Sequence, residues 1–308
     1  MLLAARKQSL QLSRGNAVGM ARATLAIGSL STLLLTDQRA LFLTFLPHAS
    51  ATRCAGIAQF GMFCISERLT GGRAVASWVA VAVLIAVLSG LWTKTLAVPH
   101  FVVSWSISQN TVLVEGGDQI NAALTMLLVP WLLAAPTGNA YSRRQDYLDI
   151  LQDNAFARWA AELIRVQVSL VYAVAALAKF GVPRWADGTA LWYWLQVPTF
   201  GLPPDLFGLV APVLQHPSVM VTGTYSVLAL ELSLVGAVWT KGTASRRLLW
   251  AGVAFHASIA VVLGLWSFGI TMTGALLLCR ALQRGPVFFL TSASGLQELP
   301  THPKGTTS

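Results

Sequence analysis

The chain has 308 residues, of which 55% are hydrophobic and only 11% charged, against roughly a quarter charged in an ordinary soluble domain. That composition excludes a typical soluble globular protein, and apolar runs of about 17 to 25 residues, each long enough to cross a hydrocarbon core of roughly 30 Å as a helix, point to a polytopic membrane protein. The net charge of +9, from 21 Lys and Arg against 12 Asp and Glu, is scattered through short loops and reads as a topology signal, with no nucleic-acid surface.

In chain order, Arg6, Lys7 and Arg14 precede an apolar run from Val18 to Leu35 that no small-residue cleavage site follows. This reads as an uncleaved signal anchor with a cytoplasmic amino-terminal segment, residues 1–16. Spans are expected at approximately residues 17–36, 74–93, 118–136, 158–180, 219–240, 247–266 and 268–283, an all-α transmembrane bundle of seven spans. Trp78, Trp92, Trp131, Trp159, Trp239, Trp250 and Trp266 mark span ends, where amphipathic rings favour the headgroup zone. Basic clusters at Arg68 and Arg73, Arg143 and Arg144, Lys241 with Arg246 and Arg247, and Arg280 with Arg284 all fall on one side only if Leu41 to Ile65 turns back as a short or re-entrant segment. Both termini are then cytoplasmic, and the stretches 94–117 and 180–218 are outward loops where a site would open. The membrane domain covers 17–284, and residues 285–308, polar and carrying Pro286, Pro300 and Pro303, form a flexible tail.

Ionisable residues inside apolar spans are costly and are functional candidates for that reason. Glu162, Arg165, Ser169, Tyr172, Ala176 and Lys179 follow spacings of three and four and share one helical stripe. Without further information, Glu162 and Arg165 pair at the helix end and Lys179 snorkels to the interface. Glu231 lies deep in its span with no basic residue in the same turn, so it is protonated or paired with another helix. His256, in FHASIAVVLGLW, can bridge helices, bind a ligand or shuttle protons. No His or Cys grouping has metal-ligand spacing. In NTVLVEGGDQIN, Asn110 opens a loop in which Gly116 and Gly117 permit a tight turn and Asp118 is placed to cap the next helix. In KFGVPRWADGTALWYWL, Trp185, Asp187 and Gly188 precede an aromatic interfacial helix with Trp192, Tyr193 and Trp194. Cys54 and Cys64 form a bridge if they face an oxidising compartment, or are two inert thiols; Cys279 fills the last span.

The segment RVQVSLVYAVAALAKFGVPRWADGTAL, residues 165–191, together with SISQNTVLVEGGDQI and FHASIAVVLGLWSFGI, resembles the HTTM superfamily, which includes the vitamin K-dependent γ-glutamyl carboxylases. Within it, the short length, GMARATLAIGSLSTLLLT and the two early cysteines most resemble the SdpB group of bacterial membrane proteins. The resemblance implies a role, with an SdpA-like partner, in maturing an SdpC-like peptide precursor into a secreted antimicrobial toxin. It also implies that Lys179 corresponds to the lysine base of the carboxylases, with Glu231 and His256 tuning it or relaying protons, and Asn110, Asp118, Arg165, Tyr172, Trp185 and Asp187 positioning loops and substrate. A lysine in a dry site can serve as a base near neutral pH. The carboxylases also carry a large extracytoplasmic domain absent here, so a quinol cofactor and carboxylation follow only if the whole reaction is shared. A non-catalytic membrane chaperone for the precursor is the alternative from another class.

Overall fold

The computed structural model describes residues 15–42, 54–70, 72–112, 115–135, 138–141 and 154–282. The described residues are helical with no strand, as the long apolar runs require once every backbone polar group must be satisfied within its own segment. The elements are α1 (Gly15–Leu35), α2 (Gln38–Phe42), a 3-10 turn (Gly56–Phe60), α3 (Met62–Thr70), α4 (Ala74–Leu88), α5 (Ala97–Asn110) and α6 (Gly116–Ala134). They continue with α7 (Ala155–Phe180), α8 (Pro183–Ala186), α9 (Ala190–Trp194), α10 (Pro204–Leu214), α11 (Pro217–Ala237), α12 (Thr243–Leu263) and α13 (Trp266–Leu282). Residues 17–35 of α1, together with α7, α11 and α12, are long and apolar enough to cross a bilayer, and α4, α10 and α13 are shorter apolar helices. Local chemistry sets the boundaries: the Asn154 side chain accepts the Ala157 N–H at 3.1 Å to start α7, and Gly264, at φ 69°, ends α12 in the left-handed region.

Side-chain pairings fix the directions of the long helices. Taking the start of α1 as the near end and its finish as the far end, Thr32 meets Ser267 while Leu25 meets Gly274, so α13 runs antiparallel to α1. Asp118 meets Thr32 and Asn121 meets Ser29, so α6 is antiparallel as well. Arg22 meets His100 and Ser29 meets Ser104, which makes α5 parallel to α1. Gln38 bonds Ser77 at the far end and Gly90 bonds Ala140 at the near end, so α4 descends. Among the described residues, α1, α4, α5, α6, α7, α11, α12 and α13 thus run alternately from end to end.

Two apolar cores lie on either side of α1. The larger joins α1 and α6 to α7, α11, α12 and α13 through Leu25, Leu128, Ile164, Leu234, Leu249 and Met272. The smaller joins α1 to the helices from α2 to α5 through Ala26, Phe42, Phe63, Leu84 and Ile107. A satellite of Trp185, Ala190 and Leu228 anchors α8 and α9 to α11.

Each expected span coincides with a helix, but three expectations change. Residues 94–117 are not an outward loop, since α5 occupies their centre and runs through the bundle. Its hydropathy is low because its polar residues, His100, Ser104, Ser106, Ser108 and Asn110, are the buried ones and find polar neighbours inside. The Leu41–Ile65 segment does not return the chain to the near end: Arg73 lies over the Phe42 ring at 5.0 Å, so Arg68 and Arg73 stay at the far end. Arg73 is held there by Glu67, with Nε and Nη2 at 3.0 and 2.6 Å from Oε2. Trp131 is also not an interfacial marker, being 2% exposed within the larger core. The amino-terminal residues before 15, residues 43–53, Arg143, Arg144 and the tail from 283 lie outside the described residues.

Candidate functional site

The polar stripe of α7 faces three other helices and meets each with complementary chemistry. Near the start, Arg165 Nη1 donates to Glu162 at 3.1 and 3.2 Å, and Nη2 donates to the Leu282 carbonyl, tying α7 to the end of α13. One turn on, Trp239 Nε1 donates to Ser169 Oγ at 2.6 Å, and the same hydroxyl donates to the Val235 carbonyl at 3.3 Å. Tyr172 Oη lies 2.8 Å from His256 Nε2 on α12. At the far end, Lys179 Nζ donates to both oxygens of Glu231 on α11, at 2.7 and 2.8 Å.

Lys179 does not snorkel outward. Side chains on a helix point back toward its amino terminus, and here the ammonium turns inward to within 3.3 Å of the Ala175 carbonyl. The Trp185 ring, 6% exposed, lies over it with its centroid 5.3 Å from Nζ. Of the two alternatives left for Glu231, protonation or pairing with another helix, the structure shows the pairing, and its side chain is 8% exposed against 21% for Lys179. Ion pairing in such surroundings is strengthened by the low dielectric, while both groups resist removal singly.

His256 is 2% exposed and sits among aromatic rings, with Phe255 at 5.1 Å, Phe268 at 5.7 Å and Tyr172 at 5.9 Å between centroids. Its Nδ1 has no hydrogen-bond partner. The arrangement therefore presents a lysine–carboxylate pair two turns along α7 from a phenol–imidazole pair, all under an aromatic cover. That set can abstract, hold and return a proton at the far end of the bundle.

The remaining expected residues divide. Asp187 is exposed and stays at the surface, accepting the Thr189 N–H at 3.0 Å and its hydroxyl at 2.6 Å. These bonds hold the Asp187 carboxyl below its ordinary range. Asn110 is 2% exposed and donates to the Ala58 carbonyl at 2.8 Å, buttressing the turn beside the Cys54–Cys64 disulfide, which is formed. Asp118 lies inside the first turn of α6 and points into the bundle toward Thr32 Oγ1 at 2.8 Å and Ser267 Oγ at 3.3 Å, away from the α7 stripe. Among the described residues no group of three or more His, Cys, Asp and Glu could hold a metal ion.

Two polar centres were not singled out from the sequence. Thr32 and Ser267, ordinary hydroxyls within apolar runs, carry no signal of their own until α1, α6 and α13 meet. Arg22 did carry one, being a charge inside the first apolar run. It is 3% exposed and donates to the carbonyls of Thr93 and Leu96 at 3.1 and 2.6 Å and to His100 Nδ1 at 3.4 Å.

An all-helical chain with four helices long and apolar enough to cross a bilayer has the form of a membrane protein. The chain belongs to the family that includes YitO of Bacillus subtilis (strain 168), an uncharacterised protein to which it is 30% identical over 265 residues, 85% of this chain and 84% of YitO. It is also similar to the sporulation-delaying protein SdpB of the same organism, at 26% identity over 263 residues, 85% of this chain and 80% of SdpB. No family model and no solved structure matches the chain.

Proposed function

We propose that this protein is a multi-pass component of a bacterial cell membrane that matures a secreted antimicrobial peptide toxin, with an HTTM-type scaffold and Lys179 as its reactive base. The observation that carries the reading is the inward-turned Lys179 ammonium held by both oxygens of Glu231 beneath Trp185. A half-buried lysine joined to a buried carboxylate has a group to which its proton can pass, leaving a neutral amine to attack an acidic hydrogen or a carbonyl of the peptide. The Tyr172–His256 pair, two turns along α7, is a second group able to hold a proton. Likeness to SdpB over most of both chains supports the toxin-maturation role and a partner of the SdpA kind.

Two independent features support an outward orientation for Lys179. Lys94, Arg158, Lys241, Arg246, Arg247 and Arg280 gather at the near end, as expected of a cytoplasmic face. The Cys54–Cys64 bridge is at the far end, as expected of an oxidising exterior. On this reading the start of α1 and the end of α13 lie toward the cytoplasm, and Lys179 faces outward.

The test is mass spectrometry of the secreted peptides from cells carrying the native chain or Lys179→Ala, Glu231→Ala or His256→Ala, each verified as inserted. Loss of the mature peptide mass with Lys179→Ala is expected. Unchanged maturation in all three variants would overturn the catalytic assignment and leave a chaperone role.

A further inference from the structure

The base at Lys179 leaves a second acid centre unused. Asp118 is 1% exposed, and its Oδ1 is met by two hydroxyls, Thr32 from α1 and Ser267 from α13, while Oδ2 has no partner. Among the described residues no Lys, Arg or His contacts it, and the only other titratable group facing it is Glu115, three residues earlier at the α6 entrance. Glu115 Oε2 is likewise buried without a partner. Burial holds the Glu115 carboxyl above its ordinary range, partly offset by the Phe268 N–H.

Further orphaned atoms collect at the same three-helix junction. Asn121, one turn below Asp118, donates to Ser29 at 2.9 Å but leaves Oδ1 unpartnered. Thr271, one turn below Ser267 and against Gly28, leaves Oγ1 unpartnered, and both residues are 0% exposed. Buried polar atoms without protein partners call for water, the medium through which protons move. Arg22 stands ten residues before Thr32 on α1, about 15 Å along the axis, and a positive charge there opposes proton entry from the near end. Gly116, by contrast, is exposed beside Glu115, so the path to the far surface is short.

We infer that Asp118 is a proton-binding site that exchanges with the far surface through Glu115. A lone buried carboxylate with one bare oxygen and an acidic neighbour is costly, and taking up a proton removes that cost. In exchange, the Asp118 O–H bond breaks as one forms on a bridging water and then on the Glu115 carboxylate, and no other reactant enters. The site goes beyond the Lys179 reading and does not depend on it, although the Phe268 ring that packs on His256 belongs to the residue whose backbone abuts Gly117.

The test is infrared spectroscopy of the full chain in nanodiscs across pH, following the C=O band of protonated carboxyl groups. Asp118→Asn is expected to remove one carboxyl component while Asp118→Glu retains it at a shifted frequency. Should Asp118→Asn fail to fold, Glu115→Gln serves instead: relieving the like-charge neighbour is expected to lower the midpoint of the band. An unchanged band in folded Asp118→Asn, an unmoved midpoint in Glu115→Gln, or a band that responds to sodium at constant pH would each overturn the proposal. Because the readout is a vibration and not maturation, it stands or fails separately from Lys179 chemistry.

Discussion

Lys179 and Glu231 form an ion pair with a structural role, beside the chemical role proposed for it, and substitution can separate the two. Removing one partner strands the other in a dry site, so Glu231→Ala is expected to lower stability by about 3 kcal/mol, measured by thermal unfolding in detergent. The double variant Lys179→Met with Glu231→Leu replaces the pair by apolar groups of similar size and is expected to recover most of that loss while remaining inactive in peptide maturation. Recovery of activity with stability would show the pair to be scaffolding only. At Asp187 the argument is about pH. Its carboxyl is held low by Thr189, so the turn's stabilisation is present above the ordinary carboxylate range and is lost as pH falls through the lowered value. Tryptophan fluorescence of the segment holding Trp185, Trp192 and Trp194 should therefore show a step at acid pH that Asp187→Asn abolishes.

Among the helices, close approach decides the geometry of the site. A Cβ on Gly269 would sit 2.5 Å from the His256 carbonyl oxygen and 2.8 Å from Ala260 Cβ, so α12 and α13 touch backbone to backbone where His256 is held. Carbonyl oxygen cannot step aside as a flexible side chain can, and Gly269→Val is expected to cost about 2 kcal/mol by overpacking and to weaken maturation more than Gly236→Val, whose added atoms meet open space. Equal effects of the two would remove the packing argument. Reading elements from sequence succeeded where apolar length was the signal, as in α1, α4, α6, α7, α11, α12 and α13. It failed for α5, whose inward polar face lowers its hydropathy, and for the capping role given to Asp118, since α6 already begins at Gly116. The six stripe residues of α7 were legible from spacing, and so was the Glu162–Arg165 pair within them. The partners of Lys179 and Tyr172 were not fixed by spacing, because Glu231 and His256 lie 52 and 84 residues away, and only packing selects among such distant groups.

For the molecule as a whole, the passage of α5 through the bundle reverses the side on which Arg68 and Arg73 lie while preserving the side of both ends of the described chain. The basic residues then separate without a re-entrant segment. The described near-end loops and helix ends carry Lys94, Arg158, Lys241, Arg246, Arg247 and Arg280. The far end sets Arg39, Arg68, Arg73 and Arg184 against Asp37, Glu67, Glu115, Asp187 and Asp205. A bias of that form orients a bundle, because positive loops are retained on the cytoplasmic side while acidic residues exert little pull. Single cysteines placed at exposed Leu69 and exposed Lys241 make the two arrangements distinguishable in intact cells, since Cys279 is buried and the Cys54–Cys64 pair is already oxidised. A membrane-impermeant maleimide is expected to label Leu69→Cys directly and Lys241→Cys only after permeabilisation. Labelling of both from the same side would show that Arg68 and Arg73 share the face of Lys241, and the end-to-end course of α4 and α5 would have to be abandoned.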